Sequence, residues 1–226
     1  MFNLTSHIAT FSKSSCVLCN VNTDHALGLC KECWQDLPWQ AVAHCAQCGL
    51  ATQSNICGSC LSHPPFFDHT RALFEYAYPI DALLQAFKYQ HQLHLGHLFA
   101  QIGLNHFNPV GVDCMVSMPM HPKRLQERGF NQSLELAKGI AKLLQLPLMV
   151  APCKRIKNTP PQASLPLKDR VKNIKGAFSC GDDFQGKHVA IVDDVMTSGA
   201  SLNELAKTLK QAGASEVSCW IIARTH

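Results

Sequence analysis

The chain lacks any run of apolar residues near the roughly 18 that a membrane-spanning helix needs, so membrane insertion is not expected. Its opening stretch, MFNLTSHIATFSKSSC, lacks the basic start and apolar run of an export signal, which leads us to expect a cytoplasmic protein. Charged residues are sparse at 16% and aromatic residues at 8%, but apolar residues make up 46% of the 226, which excludes wholesale disorder and sets an expectation of one or two globular domains. No low-complexity segment is found, and the only internal repeat is a cysteine spacing.

Cysteine itself is abundant. Eight of the twelve cysteines form four Cys-x-x-Cys pairs in the first 60 residues: Cys16/Cys19, Cys30/Cys33, Cys45/Cys48 and Cys57/Cys60. In a reducing compartment such pairs point to metal before disulfide. Each pair offers two thiolates from one tight turn, so eight thiolates match two zinc ions with no open coordination position, and closed sites are structural. Sequential pairing is the simplest scheme, and interleaved pairing stays open. Redox dithiols are the competing reading, but those lie at a strand-to-helix junction in a larger unit, which this head lacks. A head of this size cannot bury enough apolar surface to fold without metal. Cys114, Cys153, Cys180 and Cys219 stand alone and read as small buried apolar residues, with Cys153, beside Lys154 and Arg155, the one candidate for reactivity.

Charge is distributed unevenly. Residues 1–60 sum to −1, which argues against phosphate binding by the head. Residues 123–175 hold twelve of the twenty Lys and Arg against Glu127, Glu135 and Asp169, a surplus of nine. That surplus implies a polyanionic ligand or a solvated loop.

Beyond Ser62-His63-Pro64-Pro65 the pattern changes to alternating strands and helices. Strands are expected at residues 71–78, 113–118, 189–192 and 217–223, with a short one at 146–150. Helices are expected from Pro79, continuing through Ile102, over residues 133–144, and from Leu202 to Gly213. This alternation argues for a parallel sheet. Residues 153–175, with three prolines and dense positive charge, read as a long loop of functional origin. His91, His94 and His97 recur every three residues and read as a half-exposed helix face rather than a metal site.

The most informative segment runs from Val189 to Leu205. An apolar strand ends in Asp193 and Asp194, and Thr197, Ser198, Gly199, Ala200 and Ser201 lead straight into a helix. Free amides and the dipole at a helix start hold an anion, the hydroxyls add donors, and glycine permits close approach. Carboxylates one step earlier would accept hydrogen bonds from vicinal hydroxyls, so the segment describes a site for a ribose 5-phosphate. A capped helix after surface acids is the plainer alternative. Residues 181–187, GDDFQGK, imitate a nucleotide-binding P-loop, but His188 replaces the required Ser/Thr and the loop precedes its strand.

This signature resembles that of type I phosphoribosyltransferases, which bind 5-phosphoribosyl 1-diphosphate (PRPP). More narrowly, PMHPKRLQERGFNQ at residues 119–132, with Pro161-Gln162, Arg170, Asn173 and Gly176-Ala177-Phe178, is similar to the ComF family. The resemblance implies an α/β fold, a type I phosphoribosyltransferase-like parallel sheet flanked by helices over residues 66–226, preceded by a small double zinc-ribbon domain over residues 1–62. It implies Mg-PRPP as ligand, with the loop after residues 113–118 meeting the diphosphate, for which Lys123, Arg124 and Arg128 are suitable donors. It also implies that residues 153–175, including Arg155, form a hood over the substrate. Transfer of the phosphoribosyl group to a nitrogen nucleophile is the expected reaction. The ComF resemblance further implies a link to DNA uptake, so a non-catalytic adaptor is the rival. Such an adaptor would bind PRPP or single-stranded DNA, with the ribbon docking a DNA-uptake protein such as a helicase.

Overall fold

The computed structural model describes residues 14–24, 27–40, 43–159 and 172–225. The chain divides into two compact units, Met1–Leu37 and Pro38–His226. The first holds an antiparallel ribbon, β1 (Ser14–Ser15) against β2 (Asn22–Thr23), and a short helix α1 (Lys31–Gln35). Cys30 caps that helix, its sulfur accepting from the Cys33 amide, so the second cysteine pair sits on a helix start.

The second unit begins with the knuckles of the last two cysteine pairs and α2 (Gly58–Ser62). It continues with β3 (His69–Glu75), α3 (Ile80–Tyr89), α4 (His94–Leu104), β4 (Cys114–Ser117), α5 (Pro122–Arg128) and α6 (Gln132–Leu144). A small antiparallel pair follows, β5 (Cys153–Arg155) with β6 (Phe178–Cys180), and then β7 (His188–Met196), α7 (Ala200–Gln211) and β8 (Glu216–Arg224). The main sheet is four-stranded and parallel in the order β3-β8-β7-β4. Its central strands β7 and β8 are buried almost throughout, as expected where both faces are covered and apolar residues run without alternation. The outer edge of β3 is taken by the chain itself: Gln40 N–H donates to Leu73 O (2.9 Å), Glu75 N–H to Pro38 O (2.8 Å) and Thr70 N–H to Ala46 O (3.0 Å).

Several expectations need correction. The helix from Pro79 does not continue to Ile102: it ends at Tyr89, and His91 at φ 55° turns the chain into a separate helix. His91 therefore lies in a connection, while His94 and His97 are exposed on α4, and the three do not cluster as a metal site. Residues 146–150 form only one parallel bridge, Leu148 to Met115. Lys123, Arg124 and Arg128 lie on a short helix, α5, which the sequence pattern missed. The 153–175 loop starts as a strand, and residues 160–171, with Pro161-Gln162 and Arg170, lie outside the described residues. Strand β7 runs four residues past Val192, so the acid pair lies within it. Cys153 and Cys180 are not solitary, since their sulfurs face each other across β5–β6 at 2.8 Å.

Candidate functional site

The eight paired cysteines segregate sequentially. Cys16, Cys19, Cys30 and Cys33 form one quartet and Cys45, Cys48, Cys57 and Cys60 the other, with the sulfurs of each within 4.8 Å of one another. Zn–S bonds near 2.3 Å place tetrahedral sulfurs roughly 3.8 Å apart. The Cys19–Cys30 and Cys48–Cys57 separations are both 3.7 Å. Backbone amides donate to sulfur in both knuckles, Cys33 to Cys30 at 3.5 Å and Cys57 to Cys45 at 3.3 Å. Burial disfavours a thiolate at Cys16, but the amides of Cys30, Cys19 and Leu18 outweigh it and lower the thiol to about 6. At Cys45 the amides of Cys48, Cys57 and Gln47 do the same against burial, to about 7. Both quartets fit structural zinc, held by four thiolates with none left open.

The second feature is a cavity of about 310 Å³ at the carboxyl edge of the parallel sheet, where open α/β folds place ligands. Residues 197–201 form one side of it. Gly199 caps α7 at φ 74°, a left-handed conformation that side chains disfavour, so this tight turn into the helix favours glycine. The amides of the first helical turn lack intrahelical partners, and Ala200 N–H reaches Ser198 Oγ at 3.4 Å.

The floor is the acid pair. Asp193 Oδ1 accepts from Ser133 Oγ (2.7 Å) and from the Asp194 amide (2.9 Å). Burial, with Asp194 next to it, pushes the Asp193 carboxyl up to about 7, against the Ser133 hydroxyl, the Asp194 amide and Lys88. Asp194 Oδ1 accepts from the Val195 amide at 2.8 Å, and Oδ2 meets the Lys88 ammonium at 2.5 Å. This ion pair is largely desolvated, with side chains 18% and 6% exposed. Burial pulls Lys88 down, but the Asp194 carboxylate more than compensates and holds it above the ordinary lysine range.

Three arginines face this floor. Arg128 Nη1 donates to Gln132 Oε1 at 2.8 Å and its guanidinium lies over the Tyr89 ring at 5.0 Å. Arg155 lies over Phe178 at 5.8 Å and Nη2 donates to Thr159 Oγ1 at 2.5 Å, while its buried Nε has no partner among the described residues. Burial, then repulsion from Arg124, lowers the Arg155 pKa, with Asp193 acting the other way. An unpaired donor beside a second cation fits an anion that would satisfy both.

Arg124, Arg128, Arg155, Asp193, Asp194 and residues 197–201 thus all line one cavity, whereas Lys123 is exposed and does not. Sequence reasoning missed Lys88, Tyr89 and Ser133, which also line it. A signal for Lys88 existed: it lies four residues after Leu84 and directly after Phe87, a charge beside the buried stripe of α3.

Competence protein F of Haemophilus influenzae is 31% identical over 227 residues, covering 95% of this chain and 98% of that one. The chain belongs to the competence protein F family. DNA utilization protein YhgH of Escherichia coli K12 is 33% identical over 190 residues, spanning 80% of this chain and 84% of its own. The phosphoribosyl transferase domain family matches residues 131–226, and the double zinc ribbon domain family matches residues 10–63. Among solved structures, a glutamine PRPP amidotransferase from B. subtilis overlaps 56% of this chain and 25% of that chain, at 22% identity and a TM-score of 0.37. In this competence protein F relative, the double ribbon supplies the two quartets, and the phosphoribosyl transferase match covers the acid pair and residues 197–201. The cationic helix α5 lies before that match. Among the described residues, no helix is long and apolar enough to cross a membrane.

Proposed function

We propose that the cavity binds PRPP with magnesium and transfers its phosphoribosyl group to a nitrogen nucleophile, in the cytoplasm and in the service of DNA uptake or utilisation. The observation that carries this reading is the pairing of a helix-start anion cradle with a desolvated acid pair along one strand and turn, under a wall of arginines. Residues 197–201 hold the 5-phosphate through helix-start amides and the hydroxyls of Thr197, Ser198 and Ser201. Asp193 and Asp194 accept hydrogen bonds from the ribose hydroxyls. Arg124, Arg128 and Arg155 face the diphosphate, and Lys123 meets it only from outside the cavity.

The nitrogen lone pair forms the bond to the anomeric carbon as the carbon–oxygen bond to diphosphate breaks. The bonding pair leaves with the diphosphate, and the nitrogen's proton passes to water. The side chains bind and orient the reactants and stabilise charge on the leaving group. Magnesium, arriving with the ligand, would neutralise part of that charge. With Asp194 engaged by Lys88 and Asp193 by Ser133, magnesium would be held by the ligand's own oxygens rather than by this acid pair.

A second reading has its own support. Exposed Lys154 and Lys157 extend the cationic wall outward, and the relatives are named for competence and DNA utilization. The chain would then be a non-catalytic adaptor that binds PRPP or single-stranded DNA, while the ribbon docks a partner such as a helicase. Calorimetry with PRPP and magnesium, followed by diphosphate release with a panel of purine and pyrimidine bases, separates the readings. Heat with turnover supports the transferase, and heat without turnover for any base leaves the adaptor. Without heat, the PRPP reading falls.

A further inference from the structure

The second cysteine quartet and the phosphate cradle share one side chain. Arg224, at the end of β8, is buried at 7% exposure. Its Nε donates to the carbonyl of Cys48 at 3.0 Å. Its Nη1 donates to the carbonyls of Met196 (3.1 Å), Thr225 (2.7 Å) and Thr197. One planar group therefore ties the knuckle of the second quartet to the two residues that open the phosphate loop. A trans peptide points its C=O and the next N–H in opposite directions. With the Met196 and Thr197 carbonyls turned onto Arg224, the amides of Thr197 and Ser198 are directed away from it, and both residues line the cavity.

The guanidinium has no carboxylate partner among the described residues, and a buried cation needs compensation beyond carbonyl dipoles. Four thiolates around a divalent zinc carry a net charge of −2, and Cys48 is one of the four. Packing points the same way: Cys45, Cys48 and Cys60 lie in one apolar core with Phe67, Met196, Ala200 and Leu202. The first quartet belongs to the other compact unit.

We infer that Arg224 is a positioning residue through which metal loading at the second quartet, and not the first, sets the geometry of the phosphate-binding loop. This rests on the reading of residues 197–201 as the cradle of PRPP. Loop geometry can be followed without ligand, because Asn203 N–H is bonded to Gly199 O (2.8 Å) and Thr225 N–H to Met196 O (3.0 Å). The experiment is residue-resolved amide exchange on the zinc-loaded full chain, with zinc content and calorimetry using PRPP and magnesium. The chains compared are the parent, Arg224→Gln, Arg224→Lys, Cys48→Ser and Cys19→Ser.

Losing hydrogen bonds from a charged donor should speed exchange at Asn203 and Thr225 in Arg224→Gln by about tenfold or more. Residues 189–192 should stay as protected as in the parent, and both zinc ions should be retained. Cys48→Ser should loosen the same two amides, Cys19→Ser should leave them unchanged, and Arg224→Lys should fall between parent and Gln. PRPP affinity should drop in the same order. The inference is overturned if Asn203 and Thr225 exchange as in the parent in Arg224→Gln or Cys48→Ser. It is also overturned if Cys19→Ser loosens them equally, or if residues 189–192 open together with them in both Arg224 variants. A parent that gives no heat with PRPP removes the ligand reading alone, and the exchange data still decide the role of Arg224.

Discussion

The floor and the wall of the cavity are built on opposite principles. On the floor, Asp193 and Asp194 are buried, and Asp193 Oδ1 and both Asp194 oxygens are engaged by Ser133, Lys88 and backbone amides. On the wall, Arg124, Arg128 and Arg155 have no carboxylate within ion-pair distance among the described residues, and Arg155 keeps a buried donor unpaired. A carboxylate pair that is already oriented binds hydroxyls without rearrangement, whereas cations left without anions bind whatever polyanion arrives. The floor should therefore govern stability and the wall affinity.

Four substitutions test that division. The largest effect is expected from Lys88→Met, which leaves Asp194 buried and unpaired beside a second acid. Removing one partner of a buried ion pair costs about 3–5 kcal/mol, so urea unfolding should lose that much, and a cost under 1 kcal/mol would mean that water already reaches the floor. Next is Asp193→Asn. Because the folded carboxyl holds its proton up to about 7, against an ordinary value near 4 for an unfolded Asp, its contribution is fully present below pH about 4. It declines as pH rises towards 7 and stays low above that. Asp193→Asn should flatten this slope and gain on the order of 1–3 kcal/mol at pH 8, read from unfolding midpoints between pH 4 and 8. A steeper slope in the variant would show that the proton sits elsewhere.

On the wall, Arg155→Met should weaken PRPP binding by about 10- to 100-fold, the loss expected for a charged hydrogen bond, while the unfolding midpoint stays close to that of the parent. Calorimetry and thermal melts on the same sample check both halves, and a large fall in the melting temperature would make Arg155 part of the framework instead. The smallest effect belongs to Lys123→Ala, an exposed cation outside the cavity. It should change stability by less than about 0.5 kcal/mol and PRPP affinity by less than about threefold at physiological salt, where exposed charges are screened.

The sequence made the buried strands legible because their apolar runs are unbroken: residues 189–192 and 217–223 lie inside β7 and β8. The four Cys-x-x-Cys pairs were readable for a chemical reason, since each turn offers two thiolates, but spacing alone left the pairing open until the quartets separated in space. The break between α3 and α4 was invisible because the apolar period runs across it, and nothing in the pattern marks His91 as the left-handed residue. Helix α5 was missed because its seven residues bury none of their side chains and so carry no apolar stripe. At the site, the acid pair and residues 197–201 are local in sequence and could be read together. Lys88 and Ser133 reach the acids from distant positions, and such contacts exist only once the sheet has formed.

The hydrogen bonds that join Pro38, Gln40 and Ala46 to β3 carry a consequence for the folded chain. An open margin of a parallel sheet is a template for another chain, and here the covering segment leads into a cluster that needs a metal to hold its shape. A chain deprived of zinc would therefore lose more than its ribbon: it would bare an adhesive border.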